Sequence, residues 1–278
     1  METPLTAKHC RPAWAGWSIQ GWLLAGCLAM LAGCVSTSTT RQTQDMQPSA
    51  DQNDPERRAR LHMELAAAYF SRNQASTALD EVKLALQARP EMADAYNLRG
   101  LIYANMGEAG LAEDSFRHAL QQAPRDADTM QNYGWFLCQQ RRYADAVAQF
   151  NAALAVPSYR DTTRTLMTMG VCQARNNQLA DAERTLLRAY ELDPANPTTA
   201  VNLAEVLLRR GEFERARFYV RRVNAIDELV SAQTLWLAAR IENKLGQTSQ
   251  VQVLGNQLVN RFPQSPEALS FEKGRFDE

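Results

Sequence analysis

The chain has 278 residues, 45% of them hydrophobic, with 30 basic and 31 acidic side chains for a formal net charge of -1. Charges of both signs are interleaved, so there is no basic stripe to neutralise phosphates, and nucleic acid is excluded as the expected partner. With 13 Gly and 3 His, no Gly-rich loop after a strand and no sustained alternation of apolar and polar residues, a nucleotide-binding α/β enzyme is excluded too.

Residues 1–33 place Lys8, His9 and Arg11 ahead of an apolar run from Ala13 to Leu31, and small residues follow before a cysteine. These are the parts of an export signal. Leu31-Ala32-Gly33-Cys34 resembles the bacterial lipobox, in which the cysteine is lipidated and becomes the mature N-terminus. Leu24-Ala25-Gly26-Cys27 is a second candidate, but Cys27 is followed by apolar Leu28-Ala29-Met30-Leu31, whereas Cys34 opens onto a polar tract. An uncleaved anchor is the alternative, because the run is just long enough to span a bilayer. Val35 stands where the lipoprotein resemblance would put Asp for inner-membrane retention. Outer-membrane sorting, facing the periplasm, is therefore implied, with several acyl chains giving stable anchoring. Residues 34–55 offer almost nothing apolar to bury and read as a lipidated, disordered tether.

The domain expected over residues 56–278 is organised by the stretch from Ala93 to Pro124. It sets Tyr96, Gly100 and Tyr103 on one helical face, breaks at Asn105-Met106-Gly107, and sets Ala112, Phe116 and Ala119 on a second face. A helix-turn-helix with this pattern and a period of about 34 residues is a tetratricopeptide unit. Copies are read at 59–90, 93–124, 127–160, 163–194, 197–228 and 231–262. The first carries Leu65, Tyr69, Ala78 and Val82, and the third Tyr133, Gly134, Ala146 and Phe150. Around Pro157-Ser158-Tyr159 about two extra residues precede the fourth copy, which carries Gly170, Ala182 and Leu186. The fifth, with Ala204, Ala216 and Val220, lacks a closing proline, and the sixth is degenerate. A helix from Pro266 to about Lys273 would cap the last apolar face. The expected fold is all-α, a right-handed superhelix of about six helix pairs whose inner curve is lined by the first helix of each pair.

If the leader is removed and Cys34 takes lipid, Cys138 and Cys172 remain. An even pair in an exported chain points to a disulfide, and nearly equivalent positions on the first helices of neighbouring repeats make bridging plausible. Two buried thiols are the alternative. On the inner curve, the ninth residue of each unit gives Ala67, Leu101, Trp135, Val171, Glu205 and Ala239. The middle of the stack then offers Leu101, Trp135 and Val171, flanked by Asn97, Asn132 and Asn202. An apolar strip with amides beside it suits an amphipathic or extended peptide, with Trp135 as anchor. The same indole can instead be packed between repeats. His62 and His118 stand on separate helices, so surface or packing roles are expected, and no metal set, catalytic triad or cofactor motif is read.

The run Gln131-Asn132-Tyr133-Gly134-Trp135-Phe136-Leu137-Cys138, the insertion, Gly170-Val171-Cys172 and Arg-Phe-Pro-x-Ser at Arg261 to Ser265 resemble the type IV pilus biogenesis and stability lipoprotein family, PilF/PilW. Trp14, Trp17 and the duplicated lipobox depart from it. The resemblance implies a non-enzymatic pilotin, a lipid-anchored adaptor that helps the outer-membrane secretin localise and multimerise, or that stabilises pili alongside other pilus-assembly proteins. The alternative is a lipoprotein adaptor of the same architecture for cell-wall hydrolases or envelope assembly factors.

Overall fold

A computed structural model describes residues 54–277. The leader expected over 1–33, the lipidation expected at Cys34 and the tether expected up to residue 53 lie outside the described residues. Two tether positions belong to the first helix instead: Asp54 accepts a 3.0 Å hydrogen bond from Glu56 N, and Pro55 opens the helix. Proline suits that first turn because its missing N–H would have had no intrahelical acceptor.

The described residues form a stack of helix hairpins, as the spacing predicts, and contain no strand. The pairs are α1 (Pro55–Ser71) with α2 (Ala75–Ala88), α3 (Ala93–Asn105) with α4 (Ala109–Gln122), and α5 (Ala127–Gln139) with α6 (Tyr143–Leu154). They continue with α7 (Thr162–Arg175) and α8 (Leu179–Leu192), α9 (Pro197–Arg209) and α10 (Phe213–Asn224), and α11 (Ala232–Lys244) and α12 (Thr248–Arg261). A single helix, α13 (Pro266–Glu272), packs on α11 and α12 and ends the stack. The first helices also touch one another in series from α1 to α11.

Every hairpin turns on one residue in the left-handed region, two places beyond the first helix: Asn73, Gly107, Arg141, Asn177, Gly211 and Gly246. The next N–H then reaches back to an orphan carbonyl of the helix, as Glu108 N does to Tyr103 O at 2.9 Å and Arg142 N to Leu137 O at 2.9 Å. Gly and Asn tolerate positive φ; Arg141, at φ 62°, does not. Arg141→Gly is expected to raise stability by about 1 kcal/mol in a denaturant melt, and an unchanged midpoint would show that the turn holds no such strain.

The junction inside each hairpin is a small residue facing a large one 16 places later. A Cβ on Gly100 would come within 2.8 Å of the Phe116 ring, one on Gly134 within 2.8 Å of Phe150, and one on Gly170 within 2.6 Å of Leu186. In the first and fifth hairpins the same positions hold Ala66 and Val82, and Ala204 and Val220, all fully buried. As the small partner gains a methyl, the large one shrinks, as close packing requires. The sixth hairpin inverts the rule. Gly255 occupies the large position of α12, where a Cβ would overlap Phe271 of α13 at 1.8 Å, so the capping helix supplies the missing bulk.

Neighbouring hairpins are also tied by polar contacts. Glu113 of α4 accepts from Tyr133 Oη at 2.9 Å and from Arg142 at 2.7 Å. Burial pushes the Glu113 carboxyl up, but the hydrogen bonds from Arg142 and Tyr133, with the Arg117 and Arg142 charges, outweigh it and hold the carboxyl below its usual range. The nearly buried Glu242 of α11 is gripped by Arg221 at 2.7 Å and Arg217 at 3.5 Å. His62 meets Glu81 at 2.7 Å, and His118 lies against the Tyr96 ring at 4.2 Å.

Two details of the spacing differ from expectation. Leu65, read as a core position, is 45% exposed while Ala66 beside it is fully buried, because α1 packs only on α2 and α3 and its other side receives no described helix. In the sixth unit a 3₁₀ turn, Asp227–Leu229, precedes α11 and shifts the register by one. Ala239 is therefore sealed inside the stack at 0% exposure, and Arg240 takes the inward place assigned to it.

Candidate functional site

The middle of the inner face is built by α5, α7 and α9, and side-chain caps fix the N-termini of α5 and α9. Asp126 accepts from Asp128 N at 3.1 Å to start α5. Asn196 accepts from Thr199 N at 3.1 Å to start α9, with Pro197 in its first turn. Such caps satisfy donors that a helix start leaves open. The loop between α6 and α7 is held by Tyr159 Oη and Thr165 Oγ1, 2.7 Å apart, so its two extra residues leave α7 in the stack.

Between these helices lies an open hollow of about 370 Å³. Trp135 of α5, Val171 of α7 and Asn202 of α9 line it together, joined by Gln131, Met167 and Arg164. Three of the six residues read from the sequence thus share one concavity. Leu101 lies a repeat away, partly buried against the cluster that contains Phe116 and Tyr133. Asn97 and Asn132 bond each other, Asn132 Nδ2 donating to Asn97 Oδ1 at 3.2 Å, which leaves those amides partly spent. Asn202 Nδ2 donates to Thr198 O of its own helix at 2.8 Å, so its amide oxygen carries no bond from that contact.

Trp135 is packed on one side and open to the hollow on the other. One side of the indole packs on the aromatic cluster of the second and third hairpins, and the Arg175 guanidinium stands 4.8 Å from the ring centre. Its remaining surface faces the hollow. Arg164 is 3.3 Å from Asp128 and 3.1 Å from Asp161. Burial, with Asp126 and Asp161 nearby, pushes the Asp128 carboxyl up despite Arg164.

Gln131 and Met167 were not among the residues read from the sequence. They hold the fifth position of their repeats, one turn before the ninth, so the same period would have found them. Gln131 is only 6% exposed and its Oε1 has no hydrogen-bond partner. A buried acceptor without a donor is costly, and because Oε1 is itself sealed from the hollow, a donor reaches it only if the side chain turns.

Cys138 on α5 and Cys172 on α7 are joined by a disulfide, with Cα atoms 5.8 Å apart. Cys138 lies one turn after Trp135 and Cys172 directly after Val171, so the bond fixes the two helices that form the apolar wall. Among the described residues no group of acidic, His or Cys side chains could hold a metal, and no helix is long and apolar enough to cross a membrane.

Comparison with known proteins agrees with this architecture. Tetratricopeptide-repeat models match residues 93–126, 134–197 and 173–235. The chain is 25% identical over 242 residues to the type IV pilus assembly protein PilF of Pseudomonas aeruginosa, covering 87% of this chain and 93% of that protein. The crystal structure of PilW, a widely conserved type IV pilus biogenesis factor, superposes with a TM-score of 0.72 at 30% identity, over 76% of this chain and 97% of PilW. The solved structure of Pseudomonas aeruginosa PilF gives 0.67 at 24% identity, over 79% and 99% of the two chains.

Proposed function

We propose that this chain, which belongs to the tetratricopeptide family of type IV pilus biogenesis proteins represented by PilW and PilF, is a pilotin. In this reading it is a non-catalytic lipoprotein, lipidated at Cys34 and held at the periplasmic face of the outer membrane, that grips a segment of the pilus secretin and promotes its localisation and multimerisation. The observation that carries the reading is the hollow of Trp135, Val171 and Gln131. An aromatic anchor and a wall of apolar side chains supply buried area, and the Asn202 amide oxygen beside them, not used by the Thr198 contact, can accept a backbone N–H. The work proposed for the hollow is positioning a partner.

The lipid and the groove divide the task. Several acyl chains restrict the protein to the membrane surface, and the tether raises the effective concentration of the groove near its partner. A photoreactive residue at Trp135 is expected to capture the secretin in intact cells, and deletion of the gene to abolish secretin multimers and twitching. Trp135→Ala should lose the captured partner, while the melting temperature falls only by the share of the indole packed on the cluster, about 2–4 °C. A cell-wall defect with normal secretin multimers would instead favour the envelope-adaptor reading, and lost stability with partner capture retained would return Trp135 to the core.

A further inference from the structure

The last residues of the chain turn back onto the inner face of the stack. Gly274, at φ 65°, breaks α13, and the strand of chain after it crosses α11. The Phe276 ring lies 5.1 Å from the Trp236 ring and 6.1 Å, edge-on, from Phe271. Arg240 Nε donates to the Phe276 carbonyl at 3.4 Å, and Lys244 Nζ meets Asp277 Oδ1 at 2.6 Å. Trp236, Arg240 and Lys244 stand ten, six and two places before the turn residue Gly246, the places that Gln131 and Trp135 hold before Arg141 (ten and six) and Met167, Val171 and Arg175 before Asn177 (ten, six and two). The tail therefore lies across positions that in the middle repeats border the hollow. Arg240 also reaches Glu205 of α9 at 3.3 Å, which makes this end continuous with the rest of the inner face.

We propose that the inner face of α11 is a second peptide-docking site, selective for an aromatic residue followed by a carboxylate, and that the chain's own Phe276-Asp277 segment occupies it and holds it closed. The chemistry of the occupant is read from the tail itself. An aromatic ring stacks on an indole that is 8% exposed, a main-chain carbonyl accepts from a guanidinium, and a carboxylate pairs with an ammonium. The Lys244 ammonium holds the Asp277 carboxyl below its usual range, so the charge is present at neutral pH.

The closure is built to be reversible. Asp277 is 83% exposed and Lys244 41%, an ion pair in water that adds little, and the carbonyl contact is long. The holding contact is one ring on another. A partner presenting the same aromatic–acidic pair with a longer flanking segment would make these contacts and add others toward Glu205, and so displace the tail. This site does not depend on the pilus reading, because its test is direct binding.

The probe is a fluorescein-labelled peptide of the last five residues, Gly-Arg-Phe-Asp-Glu, titrated by anisotropy against the full protein. The double variant Phe276→Ala with Asp277→Ala is expected to bind it about tenfold more tightly than the native chain, the factor set by a tail that closes the site for about nine-tenths of the time. Adding Lys244→Glu should weaken that binding several-fold, and Trp236 emission should shift to the red in the double variant and return when peptide is added. Equal affinity for both proteins would overturn the closure, and no binding to either would overturn the site and leave the tail as an end-cap. A dimer that only the double variant loses would move the tail onto a second copy and overturn its intramolecular role.

Discussion

Gly134→Val is expected to lower stability by about 3 kcal/mol, at the upper end of what overpacking a core costs. A Cβ at this position would stand 2.8 Å from the Phe150 ring and 3.2 Å from the Ala146 carbonyl. Neither neighbour can give way. Phe150 is fully buried, and the carbonyl belongs to the backbone of α6. The gain in helix propensity on replacing glycine, about 0.5 kcal/mol for a β-branched residue, is too small to offset this. Phe150→Ala alone should cost about 3–5 kcal/mol through the cavity it leaves. The two changes together should cost at least about 1 kcal/mol less than their sum, because the valine enters the space the ring vacates. Urea melts of the four proteins measure this coupling. Strict additivity would mean that Gly134 and Phe150 do not form the contact described.

Loss of the Cys138–Cys172 bond is the second large effect. The residues are 34 apart in sequence, and closing a loop of that length in the unfolded chain is worth about 4 kcal/mol in the chain-entropy model. Cys138→Ala with Cys172→Ala is expected to lose roughly 3 kcal/mol, lowering the melting temperature by about 6–12 °C. Alanine is the suitable replacement because both cysteines are essentially buried, at 1% and 0% exposure. Native protein melted with reductant should approach the variant, and unfolded, unreduced native protein should contain no free thiol in the domain. Two free thiols, or a midpoint indifferent to reductant, would refute the bond.

The hairpin stack is legible in the sequence because its rule is steric and periodic. Gly100, Gly134 and Gly170 each stand 16 residues before a large apolar residue, and the left-handed residues at Gly107, Asn177 and Gly211 announce the turns. Trp135 and Val171 follow from the same count. The reading weakens where the count slips. Without a closing proline, the 3₁₀ turn at Asp227–Leu229 gave no signal, and the shift it causes exchanged Ala239 for Arg240. Gln131 has no apolar or aromatic signature to mark it as inward-facing, and its buried, unpaired oxygen is a property of the folded chain alone. The Phe276 contact has no period at all. A tail that folds back is set by tertiary complementarity with Trp236, Arg240 and Lys244, and no local pattern encodes it.

The covalent link joins α5 to α7, helices of successive hairpins, and not the two halves of one hairpin. Hairpins in this array are otherwise held to their neighbours by packing and non-covalent polar contacts, so a pull applied at the two ends would peel units away from whichever junction is weakest. Here one junction cannot be peeled. Under tension the array would fray from its outer hairpins inward and come to rest on an unbroken pair bearing Trp135 and Val171, so the wall of the hollow would be the last feature the molecule gives up.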